Sequence, residues 1–232
     1  METQSSTNIF EPMGNPPTGS PASLPKVSVD PFGNTWVDLS ELPPATLEQF
    51  CNTCGVSQER LSGRMAAQEA VAMWLRNTKQ WSGLTSDVRV SQNAKGRPIL
   101  PDPLCEGLFL SLSHCGLVGV ARLSKHPFVG IDVESIKPRG EAFERRAFTE
   151  GEIRLLPSEN RAEWVTRFWA AKESVGKAQG TGLNFSPGNF PIRERVGDLV
   201  RVGESWVQSH AMGNFAMAWT MKSPPEKKIG SF

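Results

Sequence analysis

Two short segments of the sequence carry acidic and basic residues at spacings that could do chemistry. In GIDVES, residues 130–135, Asp132 and Glu134 alternate with Ile131 and Val133. Successive side chains of a strand point to opposite faces, so the two carboxylates would share one face with Cα atoms about 7 Å apart. Magnesium typically takes one or two carboxylates together with phosphate oxygens and water. The segment is therefore a candidate metal site. The same pattern also fits a half-exposed strand whose acidic side chains are solvated.

The second segment is WAAKESVGKAQGTG, residues 169–182, which the helical periodicity places on a helix over 161–179. Glu173 and Lys177 lie one turn apart, opposite the apolar stripe and flanked by Trp169 and Gly176. As a surface pair, Glu173 and Lys177 would contribute only about 0.2–0.5 kcal/mol. Because Gly176 costs a helix roughly 0.5–1 kcal/mol relative to alanine, we favour a face that lines a cleft and lets a ligand approach closely.

Two smaller segments could contact a phosphate. SLSH, residues 111–114, ends an apolar strand with one of the three histidines of the chain, and KGRP, residues 95–98, is a turn with two cations. A lone histidine is more often structural, but beside hydroxyl groups it could bind phosphate. The sequence contains no P-loop, G-x-G-x-x-G or G-x-S-x-G pattern, so the familiar nucleotide-binding and hydrolase motifs are unsupported.

Composition limits the class of protein. The chain has 232 residues, 38% of them hydrophobic, and a formal net charge of +1. This suits one compact domain or two small ones and argues against a dedicated nucleic-acid binder. No run approaches the ~20 apolar residues of a membrane span. The first basic residue is Lys26 and no apolar signal segment precedes it, so we expect a cytoplasmic protein with no membrane partner.

The four cysteines invite a zinc or disulfide interpretation. Cys51 and Cys54 form a C-x-x-C, but they continue the apolar stripe of a predicted helix. Cys105 and Cys115 lack the spacing of a zinc ribbon. We therefore predict reduced cysteines that pack in the core.

The predicted elements form an α+β fold of two similar halves, each rich in strands and each with a long helix. We divide the chain into a disordered leader, an N-terminal half, a C-terminal half with the carboxylates and a flexible tail, at residues 1–25, 26–126, 127–222 and 223–232. The predicted strands are KVSVD, TWVDLS, VRVSQ, LFLSLSH, GVARLS, FVGIDVE and a final hairpin of LVRVGESWVQSH with NFAMAWTMK. The predicted helices span residues 44–54, 58–78, 141–146, 150–155 and 161–179.

Taken in order, GRP, SLSH, GIDVES and RFWAAKESVGKAQGTGL resemble the 4'-phosphopantetheinyl transferases of the larger, surfactin-synthetase-associated type. The family pattern is a G-[KR]-P turn, an [LI]-S-H-[SC] strand end, a G-[IV]-D-[IV]-E strand and a W-x-x-K-E-[SA]-x-x-K helix. The last two are the most specific as a pair, about forty residues apart. The resemblance implies a monomer whose two similar α+β halves stand in a pseudo-twofold arrangement with the active site between them.

The resemblance also implies an activity. Such enzymes move the 4'-phosphopantetheine arm of coenzyme A onto a serine of an acyl or peptidyl carrier protein and release adenosine 3',5'-bisphosphate. Asp132, Glu134 and Glu173 would hold magnesium, with manganese as an alternative. Glu173 is also a candidate base, directly or through a metal-bound water, and Lys177 would hold a phosphate oxygen. The alternative is a non-catalytic coenzyme A-binding paralogue, which should have lost a metal carboxylate or the Lys172–Glu173 pair.

Further coenzyme contacts follow from position in the motifs. The candidates are Ser113 and His114 at the phosphate end, Arg97 beside the adenine, Arg64 at the 3'-phosphate and Lys137 just after the metal strand. Family members often have lysines upstream of the arginine that grips the 3'-phosphate. No lysine lies between Lys26 and Lys79 here, and Arg60 is the candidate substitute. The carrier could belong to fatty acid, polyketide or nonribosomal peptide biosynthesis.

Overall fold

The computed structural model describes residues 25–54, 56–79, 81–182 and 186–221. The predicted leader, apart from its last residue, and the predicted tail lie outside these ranges. Among the described residues, no helix is long and apolar enough to cross a membrane.

The N-terminal half packs one long helix on a four-stranded antiparallel sheet. Its elements are β1 (Lys26–Val29), β2 (Asn34–Asp38), α1 (Pro44–Cys54), α2 (Gln58–Lys79), β3 (Ser91–Gln92), β4 (Pro98–Ile99), β5 (Phe109–Cys115) and β6 (Val118–Ser124). The strand order is β1-β2-β6-β5, and β3 pairs with β4 in a separate small hairpin. Helix α2 packs on β2, β5 and β6 because Leu61, Val71 and Leu75 form an apolar face that is fully buried.

The C-terminal half repeats this arrangement around a five-stranded antiparallel sheet. Its elements are β7 (Ile131–Ser135), α3 (Glu141–Ala147), α4 (Glu150–Leu155), α5 (Arg161–Gln179), β8 (Ile192–Val196), β9 (Leu199–Val202), β10 (Ser205–Met212) and β11 (Phe215–Thr220). The strand order is β7-β11-β10-β9-β8. Helix α5 packs on β7, β10 and β11, and Gly180 ends it in the left-handed conformation with φ of 73°.

The two halves share one topology. In the N-terminal sheet, the last strand, β6, lies between β2, which precedes the helices, and β5. In the C-terminal sheet, the last strand, β11, lies in the same way between β7, which precedes the helices, and β10. The long helix covers these three strands in both halves. The halves meet in an apolar cluster that includes Val120 of β6, Ile131 and Val133 of β7, and Trp219 of β11. The predicted α+β fold is confirmed, and the repeated topology is what a pseudo-twofold arrangement requires.

Two glycines let the long helices lie unusually close to the strands beneath them. A Cβ atom on Gly119 of β6 would lie 2.1 Å from the backbone carbonyl of Ser62 on α2. A Cβ atom on Gly130, just before β7, would lie 1.8 Å from the carbonyl oxygen of Ser174 on α5. No side chain fits in either space, so each helix is held against its sheet at backbone distance. On α5 this contact brings the turn with Glu173 beside β7.

The predicted elements differ from the structure mainly where turns are short. LVRVGESWVQSH was predicted as one arm of a hairpin and is two strands, β9 and β10, because Gly203 with φ of 57° reverses the chain between them. Strands β4 and β8 were not predicted, and only the end of VRVSQ is a strand. Cys51, Cys105 and Cys115 are free, with Cys105 buried, as predicted for core cysteines. The side chain of Cys54 lies outside the described residues.

Candidate active site

A cavity of about 370 Å³ opens where β5 of the N-terminal half lies beside β7 and α5 of the C-terminal half. Its walls combine three carboxylates with a lysine, a histidine and a serine. The lining residues are Leu112, Ser113, His114, Asp132, Val133, Glu134, Glu173 and Lys177. Six of the predicted site residues are therefore brought together between the two halves.

Asp132 is the most deeply buried of the three carboxylates, with 4% of its surface exposed. Its Oδ1 accepts hydrogen bonds from Ser113 Oγ at 2.8 Å and from Lys177 Nζ at 2.7 Å. Its Oδ2 is buried and has no hydrogen-bond partner within the part of the chain that the structure describes. A buried acceptor without a donor is unfavourable, so this oxygen is available to a cation that enters the cavity.

Glu134 has two protein donors. Its Oε1 accepts from Trp169 Nε1 and its Oε2 from an Arg139 guanidinium nitrogen, each at 3.1 Å. Burial raises the pKa of Glu134 and the charge of Asp132 raises it further, while Arg139 and Trp169 oppose this rise. Arg139 was not predicted from the sequence. Its only signal is that it follows β7 in the same short loop as Lys137, which the structure leaves exposed.

Glu173 lies half-buried on α5 at the edge of the same cavity. Burial is the main reason that its pKa is raised to about 7, and the negative charge of Asp132 adds to this. Lys177 lowers the pKa, and Glu134 raises it slightly. A carboxyl group with this pKa can accept a proton near neutral pH, as a general base must.

Lys172 precedes Glu173 in the sequence but does not share its surroundings. Its side chain is fully buried and its Nζ lies 2.7 Å from Glu152 Oε1. The same nitrogen donates to the carbonyl oxygens of Ala147 at 2.9 Å and Pro187 at 3.1 Å. Lys172 therefore joins α5 to α4, to the end of α3 and to the segment before β8, and it does not line the cavity. Gly176, where we expected close approach of a ligand, is likewise buried and does not line it.

A second cavity of about 250 Å³ adjoins the first and shares Leu112 and Lys177 with it. Its other walls come from the β3–β4 hairpin and from the end of α5. Arg97 lines this cavity, and its guanidinium group donates to the carbonyl oxygen of Pro127. That guanidinium group lies near Gly180, where an added Cβ atom would be 3.6 Å away. The predicted adenine-side arginine is thus placed one cavity away from the carboxylates.

His114 connects the first cavity to α2. Burial lowers the pKa of its imidazole, and Lys177 and Arg60 lower it further, while Glu59 and Asp132 oppose this. The ring lies against Gly63 of α2, where an added Cβ atom would be 3.3 Å from the ring carbon Cδ2. Arg64 follows Gly63 and is buried on α2, outside the walls of both cavities.

The three carboxylates of the cavity are suitable ligands for a hard divalent cation, but their side chains are not arranged around a common point. Asp132, Glu134 and Glu173 supply only oxygen ligands to one cavity, which is the chemistry magnesium prefers. Within the described ranges, however, no three histidine, cysteine, aspartate or glutamate side chains are placed so that they could hold an ion as they stand. One oxygen of Asp132 and one of Glu134 instead accept hydrogen bonds from Lys177 and Arg139.

Comparison with known proteins finds one superfamily to which part of this chain is similar. Residues 128–220 match the model of the 4'-phosphopantetheinyl transferase superfamily. The chain is 31% identical over 119 residues to the 4'-phosphopantetheinyl transferase Sfp of Bacillus subtilis (strain 168), covering 50% of this chain and 52% of that protein. It is 32% identical over 102 residues to the 4'-phosphopantetheinyl transferase HetI of Nostoc sp., covering 41% and 43%. These matches confirm the resemblance that was drawn from the motifs, as a similarity to this superfamily.

The matches cover only part of each protein. The chain spans about half the length of the curated relatives it matches. A crystal structure of the holo-[acyl-carrier-protein] synthase of Thermotoga maritima is similar at 31% identity and a TM-score of 0.34, over 40% of this chain and 60% of that one.

Proposed function

We propose that this protein transfers the 4'-phosphopantetheine arm of coenzyme A to a serine of an acyl or peptidyl carrier protein. One observation carries the proposal: Asp132, Glu134, Glu173 and Lys177 line a single cavity between the two halves. All four residues lie in the two most specific motifs of the superfamily pattern, and all four fall within the residues that match the superfamily model.

The two adjoining cavities suit an extended ligand such as coenzyme A, whose diphosphate carries two negative charges. Lys177 is common to both, so its ammonium group can hold a phosphate oxygen at their junction. Arg97 would contact the nucleotide in the second cavity, and Ser113 and His114 the phosphate end in the first. Arg64 on α2 and the exposed Lys137 are candidates for the 3'-phosphate and for the outer part of the coenzyme.

Asp132, Glu134 and Glu173 would hold the magnesium ion. When bound, it would neutralise the diphosphate and act as a Lewis acid on it. Support comes from the oxygen-only donor set and from the Oδ2 of Asp132, which has no hydrogen-bond partner among the described residues. To bind the ion, Glu134 would have to give up its contact with Arg139. Asp132 would likewise have to give up its contact with Lys177.

In the proposed transfer, the serine oxygen of the carrier forms a bond to the phosphorus atom that bears the pantetheine arm. The bond between that phosphorus and the bridging oxygen breaks, and adenosine 3',5'-bisphosphate leaves with the electron pair. The serine proton passes to Glu173, whose pKa of about 7 allows it to accept a proton at neutral pH. Lys177 would stabilise the charge that develops on the phosphate oxygens.

Incubation of the protein with coenzyme A, magnesium and a panel of carrier proteins tests the proposal. Intact-mass measurement should show a gain of about 340 Da on one or more carriers. The same carriers with the acceptor serine replaced by alanine are the control and should gain nothing. Binding of coenzyme A without any mass gain would instead support the alternative, a non-catalytic coenzyme A-binding paralogue.

A further inference from the structure

The contact between Arg139 and Glu134 has no role in the proposed transfer reaction. The guanidinium group lies 3.1 Å from Glu134 Oε2, and the two side chains are only 14% and 27% exposed. Arg139 comes from the loop after β7 and not from either catalytic segment. A cation of the protein itself therefore occupies one oxygen of a carboxylate that the proposed metal ion would need.

An aromatic group fixes Arg139 in this position. Its guanidinium carbon lies 4.5 Å from the centre of the Phe143 ring, within the range of a cation–π contact. Phe143 also packs edge-to-face on Trp169 at 5.4 Å, and Trp169 donates to the other oxygen of Glu134. Arg139, Phe143 and Trp169 thus form a bracket around one carboxylate.

The charges around the cavity show what this arrangement does: it places a positive charge beside one of three carboxylates. Asp132, Glu134 and Glu173 line the same cavity, and like charges at such close range repel one another. Lys177 pairs with Asp132 at 2.7 Å and Arg139 with Glu134 at 3.1 Å. The protein therefore balances two of its three carboxylates with its own cations, and a divalent ion must compete with both.

We propose that Arg139 is a positioning residue that serves as the internal counter-ion of Glu134 and competes with the divalent cation for it. This inference rests on the metal site in the proposed function. Arg139 stabilises the metal-free carboxylate site and at the same time weakens binding of the metal. The geometry that carries it is the Arg139–Glu134 contact together with the aromatic support of the arginine.

Magnesium titration by calorimetry, without substrate, tests the competition. Arg139→Met removes the charge and keeps an apolar chain against Phe143. At pH 8, we expect magnesium to bind this variant about fivefold more tightly than it binds the parent. Arg139→Gln, which can still donate to Glu134, should show the same tightening because it also lacks the charge. Arg145→Met is the matched control: Arg145 is exposed and pairs with Glu141 on α3, so its loss should leave the affinity unchanged.

Stability in EDTA gives a second readout that needs no metal. Arg139→Met should lower the melting temperature, and adding Glu134→Gln should restore most of that loss because the uncompensated carboxylate is gone. Additive effects of the two substitutions would show that the pair is not coupled and would overturn the proposal. If Arg139→Met bound magnesium as tightly as the parent or less tightly, Arg139 would not compete with the ion, although it could still be the counter-ion of Glu134. A parent protein that binds no magnesium would overturn the metal site of the proposed function as well.

Discussion

Neighbouring residues on α5 have unlike surroundings because each step along a helix turns the side chain by about 100°. Lys172 points into the protein and pairs with Glu152, whereas Glu173 points into the cavity beside Asp132. The two residues belong to one sequence motif, but only the second can contact a ligand in the cavity. A role in the reaction therefore has to be assigned residue by residue.

The substitution Glu173→Gln tests whether Glu173 acts in the reaction or is only a surface carboxylate. The substitution keeps the size of the side chain and removes its charge, so it would abolish the proposed proton acceptance and weaken the proposed metal ligation. We expect the transfer rate to fall on the order of a hundredfold or more, with the free energy of unfolding unchanged or raised. Steady-state assays of carrier modification, with denaturant unfolding in parallel, measure both quantities. Near-parental turnover would leave this helix face without a role in the chemistry.

The raised pKa of Glu173 also predicts a pH dependence of stability. The carboxyl group releases its proton near pH 4.5 in the unfolded chain and near pH 7 in the folded one. Between these values the folded state binds more protons, so the free energy of unfolding falls as pH rises. In EDTA, Glu173→Gln should therefore become more stable relative to the parent between pH 5 and pH 8, by on the order of 1–2 kcal/mol. Unfolding in urea at both pH values measures the difference; a difference that does not change with pH would contradict the burial argument.

At the scale of elements, the position of α5 depends on two buried contacts. Gly130 lets the helix backbone lie directly against the start of β7. On its other side, Lys172 pairs with Glu152, whose two oxygens also accept from the backbone N–H groups of Thr149 and Ile192. These contacts join α5 to α4 and β8, and they fix where Glu173 enters the cavity.

The buried ion pair should therefore be costly to break on one side. Lys172→Met leaves the carboxylate of Glu152 buried without its cation, and we expect a loss of about 3–5 kcal/mol in the free energy of unfolding. The double substitution Lys172→Met with Glu152→Gln should recover most of this loss, because no charge is left unpaired. Arg145→Met breaks an exposed pair and should cost at most about 1 kcal/mol. Urea unfolding measures these differences. If Lys172→Met and Arg145→Met lowered the free energy of unfolding equally, the result would contradict a structural role for Lys172.

At the scale of the whole molecule, the site exists because two similar halves meet. β5 contributes Ser113 and His114, while β7 and α5 contribute the carboxylates and Lys177. The apolar cluster of Val120, Ile131 and Trp219 holds these strands side by side. Neither half alone carries the complete set of cavity-lining residues.

The composition of residues 1–25 predicts that they contribute little to this assembly. The segment is rich in Pro, Ser, Thr, Gly and Asn and has few apolar residues that could offset the entropy lost on ordering. We expect a chain without residues 1–25 to keep its melting temperature and its rate of carrier modification. Thermal unfolding and the mass-gain assay test this. A fall of several degrees would show that the segment packs on the two halves.

Much of the fold and part of the site could be predicted from the sequence because the signals are local. The bounds of α1 and α5 and the strand that carries Asp132 and Glu134 follow from the periodicity of neighbouring residues. The one-turn spacing of Glu173 and Lys177 likewise follows from helix geometry. Short strands such as β4 and β8 were not predicted because few residues carry their pattern and pairing with a partner strand stabilises them.

The sequence by itself therefore determined which side chains share a face and which chemistry their types allow. The tertiary structure decided which of them meet and how they are charged. Arg139 reaches Glu134 only because Phe143 and Trp169 position both side chains, and Lys172 is structural only because α4 places Glu152 beside it. The pKa of Glu173 is raised mainly by burial, which depends on the packing of both halves. Such properties depend on distances between remote segments, and local sequence patterns carry no information about those distances.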